Sequence, residues 1–323
     1  MEIFKGLIGN EDIKNTLGLA IKNSEFLHAY IIEGPAGTGK RTIARLASAS
    51  IMCKSTADTP CGRCNSCEKI LNDNCADVRF YDAFKVDEVR KIKETLYESA
   101  TECDHKVYIL NDAHKMNIKA QNALLISLEE PPKNVVFFLL CEDASYLLET
   151  IRSRAQILRT KPLDNDTILD YVKKNCKTTL SDSSLKEIIV SSGGSLGYVL
   201  NMLDEKSAEL LLKERDKAKE LCVSLLRADS TSLTFISSLF SMQREKLKEL
   251  LSTCLGVLRD LAVLKKQKDA PLCFFASREE AIQLSAGFHL KKLLSLYDSI
   301  SRAIDDLNVN ASVSNTLISI LTK

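Results

Sequence analysis

No stretch of this sequence approaches the roughly 20 consecutive apolar residues that a bilayer-spanning helix needs. Nor is there an excess of charge of either sign: 44 Lys and Arg against 43 Asp and Glu leave a formal net charge of +1. Without bulk basicity, and without clusters of basic and aromatic side chains, the chain is not expected to grip nucleic acid along its own surface. Any such contact must come from a local patch or from partner chains. Internal repeats and low-complexity tracts are also missing, which argues against a repeat array. The first residues, MEIFKGLIGNEDIKN, are too charged and mixed for a signal peptide, so a cytoplasmic location is expected. In that reducing compartment the eleven cysteines are not expected to form disulfides. What is present is ordinary globular composition, 45% hydrophobic and 27% charged over 323 residues, enough for two or three domains with sizeable cores.

The stretch His28 to Ser50 reads as a buried strand, a glycine-rich loop and a helix. Ala29 to Ile32 is apolar and β-prone, and Ile43, Leu46, Ala47 and Ile51 give the segment after the loop a helical apolar stripe. Between them Gly34-Pro35-Ala36-Gly37-Thr38-Gly39-Lys40 fits a phosphate-binding loop. Glycines let successive backbone N–H groups turn toward an anion, the lysine reaches the outer phosphates, and the helix dipole favours negative charge at that end. Nucleotide is therefore expected at residues 34 to 42. One position departs from the motif. Arg41 stands where a Ser or Thr hydroxyl would ligate Mg²⁺, and Thr42 comes one residue late, about 100° further round the helix.

An amphipathic helix from about Glu11 to Ser24, with Ile13, Leu17, Ala20 and Ile21 on one face, is expected to pack beside this site. After the loop's helix come Cys53, Cys61, Cys64 and Cys67. Four thiolates at this spacing can enclose one tetrahedral Zn²⁺, and a fully ligated site is structural, since no coordination position stays open for substrate. An iron–sulfur cluster on the three close cysteines, with Cys75 as a distant fourth ligand, is the alternative.

Asp77 to Tyr81 reads as a strand, and Val86, Val89, Ile92 and Leu96 mark a helix. Lys106 to Leu110, KVYIL, is a strand running into Asn111-Asp112-Ala113-His114. A Walker B strand ends in one acid that holds Mg²⁺ and a second that activates the attacking water. Here those positions carry uncharged Asn111 and the short Asp112. His114 is expected to pack and hydrogen-bond rather than to bind a ligand. A helix within Met116 to Pro132, stopped by its proline pair, shows Ala120, Ala123, Leu124 and Leu128 on one face. Val135 to Leu140 should be a central strand and Gln156 to Leu158 the last. This alternation predicts a doubly wound α/β domain to about residue 160.

Past Pro162 the pattern becomes all-helical. Asp166 to Asn175, Ser184 to Ser192 and Ser195 to Asp204 read as three short helices, the second opened by a Ser184/Glu187 capping box. Gly193 and Gly194 separate the last two. Long amphipathic helices follow: Leu247, Leu250, Leu251, Cys254, Leu258 and Leu261 line one, and Leu290, Leu293, Leu294, Tyr297, Ile304 and Leu307 another. Lys265, Lys266 and Lys268 read as a solvated helix end.

HAY before the phosphate loop, the four-cysteine insert behind its helix, KVYIL followed by x-D-A-H, AQNALLISLEEPP, and Ser153-Arg154 together resemble the AAA+ subunits of the bacterial replicative clamp loader of DNA polymerase III. The resemblance covers nearly the whole chain. It implies an α/β plus all-α architecture: an AAA+ P-loop domain over 1 to 162 with a four-cysteine zinc module at 53 to 67, a three-helix lid over 163 to 204, and a helical collar over 205 to 323 through which subunits form a pentamer. The closing segment with Asn308 and Asn310 is similar to the family's last collar helices. The catalytic gamma/tau type carries Thr after the loop lysine, an Asp-Glu pair, a threonine pair at sensor 1 and a sensor 2 arginine. This sequence has Arg41, Asn111-Asp112, Cys141-Glu142 and Gly197 there. These departures look like the delta-prime type, whose own site is silent while its arginine, here Arg154, reaches a neighbour's ATP. Ala155 replaces the cysteine that follows that arginine in the family. The resemblance further implies work within the DNA polymerase III holoenzyme, beside gamma/tau and delta subunits, with the sliding clamp and primed DNA met through the complex, and ATP or ADP bound without hydrolysis. An active gamma/tau-type ATPase and a zinc-containing nucleic-acid binder with a vestigial nucleotide site are the competing readings.

Overall fold

In the computed structural model the described residues are 4, 6–55, 59–81, 86–227, 230–308 and 311–321. Asn310 and the side chain of Val86 lie outside them. The chain divides into two compact units, one of Met1–Leu163 with Ser195–Gly197 and one of Asp164–Gly194 with Tyr198–Lys323.

The first unit runs α1 (Glu11–Lys22), β1 (Ala29–Glu33), α2 (Lys40–Ile51), α3 (Asn65–Leu71), β2 (Val78–Tyr81), α4 (Val86–Leu96), β3 (Lys106–Leu110), α5 (Ile118–Glu129), β4 (Val135–Cys141), α6 (Glu149–Arg152) and β5 (Gln156–Arg159). Its five strands are parallel in the order β2-β3-β4-β1-β5, so the VVFFLL strand is central as its apolar run demands. Side chains alternate across a strand. Val136, Phe138 and Leu140 therefore join Tyr30, Ile32, Val107 and Ile109 on the face packed by α1 and α2, where Ile13, Leu17, Ile43 and Ala47 are buried. Phe137 and Leu139 join Ile31, Tyr108 and Leu110 on the other face, against Ile92, Leu96, Leu124 and Leu128 of α4 and α5. Register places Glu33 opposite Cys141 on one side and Arg159 on the other, so the glycine loop leaves the sheet at its carboxyl edge, between two strands that end level with β1.

The second unit is helical throughout its described residues: α7 (Asn165–Asn175), α8 (Asp182–Ser191), α9 (Leu196–Asn201), whose first two residues cluster with the first unit, α10 (Glu205–Arg227), α11 (Ser230–Leu239), α12 (Arg244–Leu264), α13 (Arg278–Ala286), α14 (Leu290–Asn308) and α15 (Val313–Leu321). Two expectations need correction here. Helix α8 is capped by Ser181, whose hydroxyl accepts the Ser184 N–H at 3.2 Å, so Ser184 lies inside the first turn and the Ser184/Glu187 box does not form. On α14, Leu294 is 45% exposed, and the buried seam is Leu293, Ile300, Ala303 and Leu307. Positions seven apart keep one heading on a helix, and Leu294 falls one residue, about 100°, off that seam. All six residues expected to line α12 are buried, and Lys265, Lys266 and Lys268 are exposed just past its end. No described helix is long and apolar enough to cross a membrane.

Asp260 of α12 is fully buried and holds the chain that returns toward α13. Its carboxylate accepts backbone N–H bonds from Cys273, Phe274 and Phe275 at 2.7 to 3.2 Å and pairs with Arg259 at 2.8 Å. Replacing it by alanine orphans the buried N–H groups of Phe274 and Phe275 and the part-buried one of Cys273. Asp260→Ala is expected to cost about 3–5 kcal/mol in urea denaturation, whereas Asp298→Ala, on an exposed turn of α14, stays within roughly 0.5 kcal/mol.

Candidate functional site: the glycine loop, its surroundings and the cysteine cluster

The loop takes its shape from one residue on the far side of β1. Thr160, just past β5, donates its N–H to the Glu33 carbonyl at 2.8 Å, and its hydroxyl lies 2.8 Å from that of Thr38 and 3.1 Å from the same carbonyl. That hydroxyl occupies the space a side chain at position 34 would need. A Cβ on Gly34 would sit 1.9 Å from Thr160 Oγ1, at a φ of +150°. Gly39 (φ +89°) then turns the backbone into α2, whose first residue is Lys40. Pro35, Ala36 and Gly37 are exposed on the rim while Thr38 is buried beneath it.

Lys40 curls over this rim. Its Nζ donates to the carbonyls of Gly34 at 2.5 Å and Pro35 at 2.8 Å. Burial pulls its ammonium below the ordinary range, and the acids Glu142 and Asp112 partly oppose this. A polyphosphate placed there would give this partly desolvated ammonium anionic partners in place of two neutral carbonyls.

The positions around the loop have other partners. The Arg41 guanidinium stands 3.8 Å from Asp73 and 4.6 Å over the ring of Phe80, so it points toward the end of α3 and the edge strand β2. Arg45, one turn on, reaches the same carboxylate at 3.4 Å. Thr42 is half-buried on α2. Asn111 donates its N–H to Tyr81 at the carboxyl end of β3. Asp112 adopts a left-handed backbone and pairs with Lys115 at 2.6 Å. Cys141, closing β4, is buried and its thiol is pushed up to about 12 by that burial. Glu142 is exposed. His114 lies beside Tyr146, ring centroids 6.2 Å apart. Gly197 clusters with the first unit and donates its N–H to Gly37 O at 3.0 Å; a Cβ there would stand 3.0 Å from Gly37 Cα.

Arg154 follows α6. Its guanidinium donates to Thr150 O at 3.0 Å and Ser153 Oγ at 3.3 Å and pairs with Glu129 Oε1 at 3.0 Å, with about a third of the side chain exposed. Pairs this exposed are worth about 0–1 kcal/mol. The arginine is held in one heading yet is cheap to release.

Cys53, Cys61, Cys64 and Cys67 come together as the spacing predicts, their Sγ atoms all within 4.8 Å of one another. Backbone N–H groups aim at three of them: Ser55 and Cys61 at Cys53, Cys64 at Cys61, and Cys67 at Cys64, all at 3.3 to 3.5 Å. The N–H groups of Arg63 and Cys64 bring the Cys61 thiol down to about 6, while burial drives Cys67 the other way. A cluster of four sulfurs with directed N–H groups fits a tetrahedral thiophilic metal. Cys75 is not among them; it lies against Cys103, which leaves the alternative cluster without its fourth ligand. Sequence reasoning missed Thr160, Asp73 and Glu129. Each meets its partner across 25 or more residues of chain, where no local spacing signals it.

A family model described as DNA polymerase III, delta subunit, matches residues 9–164. The DNA polymerase III subunit tau of Bacillus subtilis (strain 168) is 32% identical over 209 residues, which cover 62% of this chain but only 37% of that protein. The subunit gamma of Buchnera aphidicola subsp. Schizaphis graminum is 28% identical over 282 residues, covering 81% of this chain and 78% of its own length. Among solved structures, a DNA polymerase III gamma subunit-related protein of Thermotoga maritima shares the fold, with a TM-score of 0.53 at 20% identity over 95% of this chain and 96% of that one.

The metal-free chain should betray the cluster's electrostatics. Cys61 titrates near 6, so its thiolate is lost only as pH falls through that value and is nearly complete at pH 7.5. Alkylation by iodoacetamide, read peptide by peptide by mass spectrometry between pH 5 and 9, should label Cys61 before Cys67 and with a midpoint near 6. A midpoint near 9 at Cys61 would contradict the account.

Proposed function

We propose that this chain, which belongs to the clamp-loader AAA+ family of DNA polymerase III, serves there as a delta-prime-type subunit, one that holds nucleotide without hydrolysing it and lends Arg154 to a neighbour's ATP. The observation that carries the reading is that three positions where hydrolysis needs a free group are otherwise engaged. The residue after Lys40 is an arginine turned to Asp73 and Phe80. The strand end offers Asn111 and a Lys115-paired Asp112 in place of two acids. At position 197 there is only backbone, and a side chain begun there would meet Gly37 Cα at 3.0 Å, a contact tight enough that the loop would have to shift by a few tenths of an ångström.

In this role the glycine loop and Lys40 bind and orient phosphates. Residues 34 to 42 supply the cradle, and with Asn111 uncharged and Asp112 paired to Lys115 the strand end lacks the two free acids that would hold Mg²⁺ and take a proton from the attacking water. Arg154 acts elsewhere. A guanidinium delivered to a neighbour's γ-phosphate offsets charge that develops in the transition state, and such an arginine in trans raises rates by roughly 10³-fold or more. Zn²⁺ on Cys53, Cys61, Cys64 and Cys67 would cross-link the insert behind α2 and supply no chemistry. Residues 163 to 204 would serve as the lid and 205 to 323 as the collar through which the chain joins gamma/tau and delta subunits, meeting the sliding clamp and primed DNA as part of that assembly.

The isolated chain separates this reading from an active gamma/tau-type ATPase. It is expected to bind a fluorescent ATP analogue, to lose that binding on Lys40→Ala, and to hydrolyse ATP with Mg²⁺ no faster than the Lys40→Ala control. Mg²⁺-dependent turnover abolished by Lys40→Ala would overturn the silent-site assignment, and failure to bind any nucleotide would overturn the cradle.

A further inference from the structure

A second group of metal-binding side chains lies outside the four-cysteine cluster. Cys75 and Cys103 bring their Sγ atoms to 4.0 Å, and an oxygen of Asp77 lies within 4.8 Å of both. Cys61 and Cys67 in the first cluster are spaced at the same 4.0 Å. Two thiolates sharing a tetrahedral Zn²⁺ stand about 3.8 Å apart, from Zn–S bonds of about 2.3 Å.

We propose that Cys75, Asp77 and Cys103 form a second Zn²⁺ site in this chain. Asp77 decides the matter. It is 3% exposed, and a carboxylate that deep needs its lone pairs filled. Oδ2 accepts the N–H groups of Glu102 at 2.7 Å and Cys103 at 2.9 Å, and Oδ1 accepts that of Thr101 at 2.8 Å. A carboxylate has about four acceptor positions. One remains, on Oδ1, in a carboxylate that lies beside two thiols. The three N–H bonds also fix the carboxylate's heading, as partners behind a metal ligand do.

The fourth position has a donor nearby. Ser66 Oγ lies 3.7 Å from Cys103 Sγ, and either this hydroxyl or a water completes a tetrahedron. Ser66 sits on α3 between Cys64 and Cys67, so the two sites share one helix. A Zn²⁺ with two thiolates and a carboxylate carries a net charge of −1. Lys69 lies within electrostatic range of both thiols, with its charge shared with Glu102 at 2.9 Å. The ion would tie the entry to β2, an edge strand, to the segment before β3 and, with Ser66 as fourth ligand, to α3 as well.

The test is metal content of the full-length chain, stripped with chelator under reductant, reloaded with Zn²⁺ and freed of excess. Elemental mass spectrometry should find two equivalents in the intact chain. One should remain in Cys103→Ser and in Cys75→Ser, which spare the first cluster, and one in Cys61→Ser, which spares the second. Co²⁺ gives a readout that does not depend on stoichiometry. The difference spectrum between the intact chain and Cys103→Ser should contain a sulfur-to-Co²⁺ charge-transfer band about half as intense as that of a four-thiolate site. A thermal melt that leaves Cys103→Ser folded keeps the comparison valid, and Cys103→Ala serves if it does not. Equal metal content in the intact chain, Cys75→Ser and Cys103→Ser would overturn the second site. So would recovery of Cys75 and Cys103 as a disulfide from Zn²⁺-loaded chain.

Discussion

The Thr160 hydroxyl is the point on which the first unit's site depends. It meets the Glu33 carbonyl and the Thr38 hydroxyl and fills the space that any residue but glycine at position 34 would claim. Three consequences follow from one side chain. The end of β1 is tied to the end of β5, the loop must open with a glycine in a left-handed backbone, and Thr38 is buried so that Gly37 and Gly39 carry the rim outward. The sheet makes this possible because β5 and β4 flank β1 in register to its last residue. The shape of the glycine loop is a property of strand order before it is a property of the loop's sequence.

Charge at the site has been taken up by protein. Arg41 and Arg45 converge on Asp73, Asp112 is neutralised by Lys115, and Arg154 leans on Glu129. The first arrangement turns a position that elsewhere serves a metal into a strut between α2 and the end of the cysteine-rich insert. It links the loop's helix to the four-cysteine region mechanically. Arg154 is the exception in kind. Its pair is exposed and weak, which suits the proposed move from one carboxylate to another anion.

Much of the first unit was legible because its signals are short-range. KVYIL and VVFFLL are apolar runs of strand length, and the glycine loop carries its own spacing, so β1, β3, β4 and α2 fall where periodicity puts them to within a residue or two. The four cysteines were legible for the same reason. What failed was of two kinds. Ser184 with Glu187 matched a capping pattern that Ser181, three residues earlier, satisfies instead, because several adjacent serines offer the same hydroxyl. Leu294 was assigned to a buried face by its apolarity, although the seam of α14 is set by seven-residue spacing. The long-range partners, Thr160 above all, had no local trace; parallel topology creates them.

On the proposed reading Arg154 works on a neighbour's nucleotide. The most direct test of this is ATP hydrolysed per loading cycle by a reconstituted clamp loader, stimulated by clamp and primed DNA, with this chain intact or carrying Arg154→Ala. With assembly unchanged by gel filtration, the variant should lose the turnover of one site, that site slowing roughly 10³-fold. The same ATP consumed per cycle at the same rate would mean that Arg154 faces no active site, and the trans assignment would fall.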